Sequence, residues 1–545
     1  MEKRKRILLF FILILYQNTF SQVTQQWISM YNGPADGFDQ ANLIAYDNSG
    51  NVYVTGFSQF SPGTNDYDYI TIKYNSSGIQ QWTARYSGPG NHEDRAVSIA
   101  IDGSGNVYVT GFSRGTGIAD DYATIKYDSS GVQQWVQRYS GPVDSADQAN
   151  SLAVDNSGNV YVTGYSRGSL TGFDIATIKY NTNGDSMWVQ RFNASGNNYD
   201  AGKSVVVDDS GNVYVTGFSK GFTTYNDFVT IKYNSSGIVK WVRSYNGTSA
   251  NDVAISIAVD GSGNVYVTGN SDGNGTDADY ATLKYNPEGV QQWVKRYDGL
   301  EHGNDLPTSL VVDISGNVYV TGMSIAFGTG YDYATIKYSS SGIQKWLARY
   351  DGPGNSGDIA YSIAVDDSYN VYVSGKSGAS NYYNDCTTIK YDSAGTEKWI
   401  QRYVKTFSNN VGKSIKVDDL GNVFVTGYTD GNGTRTDYLT LKYSQLIVGI
   451  NQISNNIPKG FMLEQNYPNP FNPNTVISYQ LAVSSFAKLK VYDILGNEIT
   501  TLVNEKQNAG SYSVEFDASI YPSGIYYYKL EAGDFSEVRK MIMVK

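Results

Sequence analysis

Two rows of aspartates hold most of the potential chemistry of this 545-residue chain. Asp68, Asp121, Asp174, Asp227, Asp279, Asp332, Asp385 and Asp437 recur at one spacing. Asp39, Asp94, Asp147, Asp200, Asp252, Asp305 and Asp358 recur at a second, with Asn410 in the eighth place. Carboxylates converging from repeated positions could ring a calcium ion or a cationic ligand, because hard cations take oxygen donors. At a tight turn, however, an aspartate accepts backbone N–H groups and serves only the local fold. A residue repeated in every copy is expected to serve the copy, so no cofactor is expected; calcium is the one that these residue types would allow. The DxSGN segments resemble the start of a calcium loop but lack its alternating acidic ligands and distal Glu, which leaves hairpin geometry as their role.

Other reactive groups are sparse. His92 lies near Glu93 and Asp94, and His302 near Glu301 and Asp305. Either could be a general base, yet neither has a serine, cysteine or metal-ligand set nearby in sequence. Two histidines cannot supply a three-His zinc centre, and the single Cys386 forms neither an internal disulfide nor a multi-Cys metal site. Cys386 stands where most copies have Tyr or Phe and is expected to be a buried, inert thiol. A lysine also recurs in eight copies, at Lys73, Lys126, Lys179, Lys232, Lys284, Lys337, Lys390 and Lys442. Its expected task is pairing with a carboxylate between repeats. No catalytic residue is assigned, and the chain is expected not to be an enzyme.

The elements that position these residues come from internal repetition. The segment Gly50-Asn51-Val52-Tyr53-Val54-Thr55-Gly56 returns from Gly105, Gly158, Gly211, Gly263 and Gly316, then with changes from Tyr369 and Gly421. The eight tryptophans, Trp27, Trp82, Trp135, Trp188, Trp241, Trp293, Trp346 and Trp399, all fall at one position of the repeat. Each copy has four short β-prone runs separated by turn residues, as in residues 98–102, 106–111, 122–127 and 135–139. Four strands in each of eight units predict an all-β chain whose main part is an eight-bladed β-propeller, with blades buried on both faces. The first strand of each unit, carrying small Ser and Ala, is placed innermost. The chain opens on a lone tryptophan strand near Trp27, and the eighth copy stops at Tyr443 without one. The N-terminal strand is therefore expected to complete the last blade and remove a sheet edge.

Alternation along the strands sorts the turns onto two faces. The first-to-second and third-to-fourth turns are short and uniform. The second-to-third connections and the loops after each tryptophan strand vary, and a variable face on a rigid scaffold is where binding is expected. Charged residues are only 17% of the chain, against about 25% in ordinary soluble domains, as fits doubly buried sheets. A net charge of −11 argues against nucleic acid, which calls for clustered Lys and Arg.

Residues 1–21 have the layout of a secretory signal: Lys3, Arg4, Lys5 and Arg6, an apolar run from Ile7 to Tyr16, then Thr19 and Ser21 before a cut between Ser21 and Gln22. No cysteine lies at the cut for a lipid anchor, and no later stretch is long and apolar enough for a transmembrane helix. The domain layout expected is a propeller over 22–443, a linker over 444–459 and a second domain over 460–545; five of the 12 prolines fall after Tyr443, at Pro458, Pro468, Pro470, Pro473 and Pro522.

Over 22–443 the pattern DxSGNVYVTG…DYATIKY(N/D)xxGxxxWxxRY resembles the SBBP-type β-propeller repeats of secreted bacterial proteins, a family recognised by fold rather than by a shared reaction. Residues 128–135 are also similar to the tryptophan-docking motif of pyrroloquinoline-quinone propellers. Those dehydrogenases use a vicinal cysteine pair, which one cysteine cannot provide. The Asp-box spacing and arginine triad of sialidase propellers are not recognisable. Residues 463–473 (LEQNYPNPFNP), 491–496 (VYDILG) and 522–526 (PSGIY) resemble the C-terminal sorting domain of type IX secretion substrates. Alternating runs at 487–492 and 511–516 suggest that this domain is a small seven-strand Ig-like sandwich. The resemblance implies passage across the outer membrane of a Gram-negative bacterium by the type IX secretion machinery, to the medium or the cell surface. The function expected is an exported propeller scaffold that binds a glycan or a protein through its variable face. The alternatives are a polysaccharide hydrolase or lyase working in the channel, and a purely structural surface component.

Overall fold

The computed structural model describes residues 23–545, apart from 65, 91, 118, 222–224, 248–250, 274–276, 355–356, 380–382, 432, 434, 446–450, 455–457 and 519–520. The expected signal and its cut at Ser21 and Gln22 lie outside the described residues. The chain forms two compact units, Met1–Ser444 and Gln445–Lys545. No helix occurs among the described residues.

The first unit is built from four-stranded antiparallel blades, as the four-run repeat dictates. Among the described residues it holds eight such sheets. In one of them Asp94–Ile101, Val107–Arg114, Asp120–Tyr127 and Gln133–Tyr139 pair in chain order. Two of its three hairpins follow from turn chemistry: Gly105 and Gly131 hold φ of 79° and 85°, a region closed to most side chains. Asp102 Oδ1 accepts the N–H groups of Ser104 and Asn106 at 2.9 Å, which fixes the first turn. The second strand is apolar on both sides because neighbouring sheets cover both. Val107, Tyr108 and Val109 are all fully buried, and Tyr108 packs into the next sheet's core with Leu152, Val160 and Ala176.

Between sheets the fastening repeats. Trp82 Nε1 donates to Ser129 O at 3.2 Å, with its ring over Gly131 of the next sheet. Tyr69 Oη donates to Ala123 O, and Ser98 Oγ accepts the Leu152 N–H. Each first strand packs on the first strand of the following sheet, and the last, Asn410–Val417, packs on Asp39–Tyr46. The N-terminal strand Val23–Tyr31 is hydrogen-bonded at the edge of the sheet made by Asn410–Val417, Val423–Asp430 and Thr436–Gln445. Trp27 of that strand donates to Ser76 O at 3.1 Å and lies over Gly78, repeating the fastening of Trp82. Tyr438 Oη donates to Ile70 O, Lys442 Nζ to Ser76 O, and the Thr436 N–H to Gly37 O.

The second unit has two four-stranded antiparallel sheets around one core that includes Leu463, Tyr479, Leu489, Val514, Tyr528 and Met541. Among the described residues it contains one strand more than the expected seven. Asn451–Ser454, inside the stretch read as linker, pairs with Gly510–Asp517. A four-residue strand with no apolar alternation leaves no periodic trace to read.

Candidate functional site

The second-to-third loops and the fourth-to-first loops carry both rows of aspartates, and the structure gives the rows different tasks. The aspartate that opens a first strand is fully buried and tied to backbone. Asp94 Oδ2 accepts the Gly88 N–H at 2.5 Å, and its Oδ1 accepts the Arg114 N–H at 3.1 Å. Burial, only partly offset by the Ser113 hydroxyl and these N–H groups, pushes its carboxyl up to about 6, and Asp39 likewise. The aspartate of the third strand meets an arginine instead. Arg349 reaches Asp332 Oδ2 at 2.9 Å, Ser324 Oγ at 2.6 Å and Tyr297 Oη at 2.8 Å, the tyrosine coming from the preceding sheet. Arg138, Arg191, Arg296 and Arg402 repeat the pairing, and Arg85 pairs with Asp68.

This arginine clasp escaped the sequence reading, although the recurring Trp-x-x-Arg-Tyr held its signal. The clasp is missing in two sheets. In the fourth, Val239–Tyr245 reads VKWVRSY, so Arg243 stands one residue early. One step along a strand turns a side chain to the other face, and Arg243 donates to Gly289 O and Glu288 O rather than to Asp227. In the N-terminal strand Met30 takes the position.

The recurring lysine does not meet a carboxylate as expected. Lys73, Lys126, Lys179, Lys232, Lys284, Lys337 and Lys442 donate to a backbone carbonyl in the next sheet's turn, the same one that takes the tryptophan N–H. The stem length decides this, since the ammonium extends along the sheet edge to an orphan carbonyl. Cys386 is buried, and burial pushes its thiol up to about 12. His302 and His92 are exposed in loops of different repeats. His302 Nδ1 lies 2.6 Å from Asp298 Oδ2, a contact that raises its pKa.

Against this uniform frame, three features occur in only some of the repeats. Asp298 and Asp351 occur where other copies have Asn, Ser or Val, and they complete carboxylate triplets Asp279–Asp298–Asp305 and Asp332–Asp351–Asp358, each with oxygens within 4.8 Å of one another. Such oxygen sets have donor chemistry suited to a hard cation. A polar cleft of ≈ 430 Å³ opens between Gly115, Thr116, Asp121, Arg138 and Asp144. The third feature is aromatic. Tyr165, Phe173, Tyr199 and Phe218 form a cluster with ring centroids 5.2–5.4 Å apart, edge to face, and Tyr199 is 37% exposed. Arg95 lies over Phe57 and Tyr67, Lys203 over Phe218, and Lys413 over Tyr361. Such a surface offers flat apolar faces beside fixed cations.

Two family models match parts of the chain. Residues 81–118, 134–171, 188–222, 240–275, 292–327 and 398–433 match the β-propeller repeat of the SBBP type. Residues 465–545 match the secretion system C-terminal sorting domain. A WD repeat-containing protein of Acanthamoeba polyphaga mimivirus, itself uncharacterized, is 22% identical over 471 residues, 72% of this chain. The chain spans 31% of the length of that relative. Similar solved structures include Drosophila Plexin A in complex with Semaphorin 1b, at 8% identity and a TM-score of 0.37, covering 78% of this chain and 88% of that one. A lignostilbene dioxygenase of Pseudomonas brassicacearum is 9% identical at a TM-score of 0.38, covering 78% of this chain and 93% of that one. Repeats and terminal domain together make this chain an SBBP-type β-propeller-repeat protein with a type IX secretion sorting domain, secreted or held at the cell surface.

Proposed function

We propose that the chain is an exported binding scaffold: an eight-bladed ring, closed by its N-terminal strand, that binds a glycan through its variable face while residues 460–545 direct type IX secretion. Ring closure is supported by the docking of Trp27 onto Ser76 and Gly78, and by the packing of the last first-strand on Asp39–Tyr46. The binding role is carried by the aromatic cluster of Tyr165, Phe173, Tyr199 and Phe218. It stands at positions that differ between repeats and leaves an aromatic edge in solvent, a cost that packing alone does not call for. Aromatic faces suit the apolar C–H faces of sugar rings, and rigid rings bind at low entropic cost.

Two measurements test this reading. Expressed with residues 460–545 deleted, the protein is expected to stay in the periplasm, and undiminished export overturns the sorting role. On an array of glycans and surface proteins the full chain is expected to retain glycans, and Tyr199→Ala to weaken that retention about tenfold. Turnover of any retained polysaccharide overturns the scaffold reading.

A further inference from the structure

The eight first strands enclose the axis of the ring, and their polar residues break its symmetry. Each of these strands has a bulge after its opening residues, as between Ala41 and Leu43 or between Gly412 and Ser414. A bulge re-aims one side chain. At that position Asn42, Asn150 and Thr308 donate sideways to the carbonyls of Ala96, Gly202 and Ala360 on the next first strand. Those residues knit the wall together.

In two strands the bulge residue is a lysine, Lys203 and Lys413, and Lys416 follows on the same strand as Lys413. None of the three has an ion pair or a hydrogen bond among the described residues, so they do not repeat the sideways bond. Lys416 is solvent-exposed although its strand is the innermost of its sheet. Water therefore reaches the enclosed space. Burial lowers the pKa of Lys203, and burial and then Lys376 lower that of Lys413. No carboxylate offsets these losses. Beyond the opening aspartates the first strands contain no acidic residue, in a chain whose net charge is −11. Low-dielectric walls around a concave space focus the field of the few charges inside.

We propose that the space inside the first strands takes an anionic polysaccharide, whose acidic groups meet Lys203, Lys413 and Lys416 while its sugar rings lie on the aromatic mouth. The proposal rests on the glycan-binding reading above and adds the charge of the ligand. Tyr361, 4.1 Å from the Lys413 ammonium, and Phe218, 5.7 Å from that of Lys203, set the cations beside stacking faces. A nucleic-acid strand, with a phosphate about every 3.4 Å, calls for a denser basic track.

The test is binding of a galacturonate hexamer to the full chain, with its methyl ester as the neutral probe of the same shape. The acid is expected to bind at least about tenfold more tightly than the ester, with an affinity that falls as salt rises. K203Q/K413Q/K416Q should lose that preference, and K203R/K413R/K416R should keep it. The arginine variant also separates lost charge from lost folding, and thermal melts of both variants should match the parent. Equal binding of acid and ester, or a glutamine variant that keeps the preference, overturns the anionic proposal while leaving glycan binding intact. Retention of a single-stranded oligonucleotide in place of the hexamer also overturns it. Failure to retain any glycan overturns the broader reading.

Discussion

Burial sets the sign of the pH response at the aspartates. Asp39 and Asp94 sit up at about 6, and Asp147, Asp200, Asp252, Asp305 and Asp358 are also raised, in every case first by burial. An unfolded Asp titrates near 4. Between about pH 4 and 6 the folded chain therefore holds more protons than the unfolded one, and stability rises as the pH falls through that window. The turn aspartates work the other way. Partial burial opposes the charge of Asp47, but the Asn51 side chain, the Asn51 N–H and the Tyr53 hydroxyl outweigh it and hold the carboxyl low, as at Asp102, Asp155 and Asp260. Their contribution is full above pH 4 and is lost only below it. Urea unfolding should thus show greatest stability near pH 4.5, by about 2 kcal/mol or more over pH 7.5. In Asp94→Asn the difference should shrink; a midpoint that rises from pH 4.5 to 7.5 would contradict the assignment. The turn role of the first-strand aspartates was legible because a carboxylate repeated at a loop end in copy after copy has backbone N–H groups within reach to accept. The lysine partner was not, because a backbone carbonyl leaves no residue type in the sequence to pair with.

The unit of construction at the next scale is the hairpin together with the tryptophan of the preceding sheet. Gly342 holds φ at 79°, and a Cβ there would lie 2.9 Å from the ring of Trp293. Gly131 and Gly237 face Trp82 and Trp188 in the same way. Conformation and space both demand glycine, so Gly342→Ala should cost about 1–3 kcal/mol, read as a lowered denaturation midpoint. In the double variant Gly342→Ala/Trp293→Ala the alanine should cost less than it does alone, because the clash with the ring is relieved, while the φ share and the contact with the flexible end of Lys295 are left. Additive effects would show that ring and glycine are independent. The strands themselves were legible from alternation and from glycine-marked turns, since Val-Tyr-Val between turn residues is a strand in any packing. What could not be read was the placement of Arg243. The same residue type one position early goes to the next sheet's turn, and only the register Val229↔Ser244 shows which face it left.

For the whole molecule, the decisive question is what the N-terminal strand does for the last sheet. Removing Val23–Tyr31 would take Trp27 from Ser76 and Gly78, separate Ser29 Oγ from Gly78 O, and strip the Tyr31 ring from Tyr438. It would also bare the edge of Thr436–Gln445, a ten-residue strand with a buried apolar centre. A long uncovered edge invites pairing with another chain. In a closed ring the loss should not stay local, because Asp39–Tyr46 packs on both the first strand of the second sheet and that of the last. The truncated chain is therefore expected to melt at a lower temperature and to self-associate, while a synthetic peptide of residues 23–31, added in excess, restores both the melt and the monomer. An open stack would respond otherwise: only the last sheet would loosen, hydrogen exchange in residues 39–86 would stay as slow as in the parent, and the peptide would protect residues 410–445 alone. Exchange measured at Ile70 and Tyr74, against Tyr438 across the junction, tells the two apart.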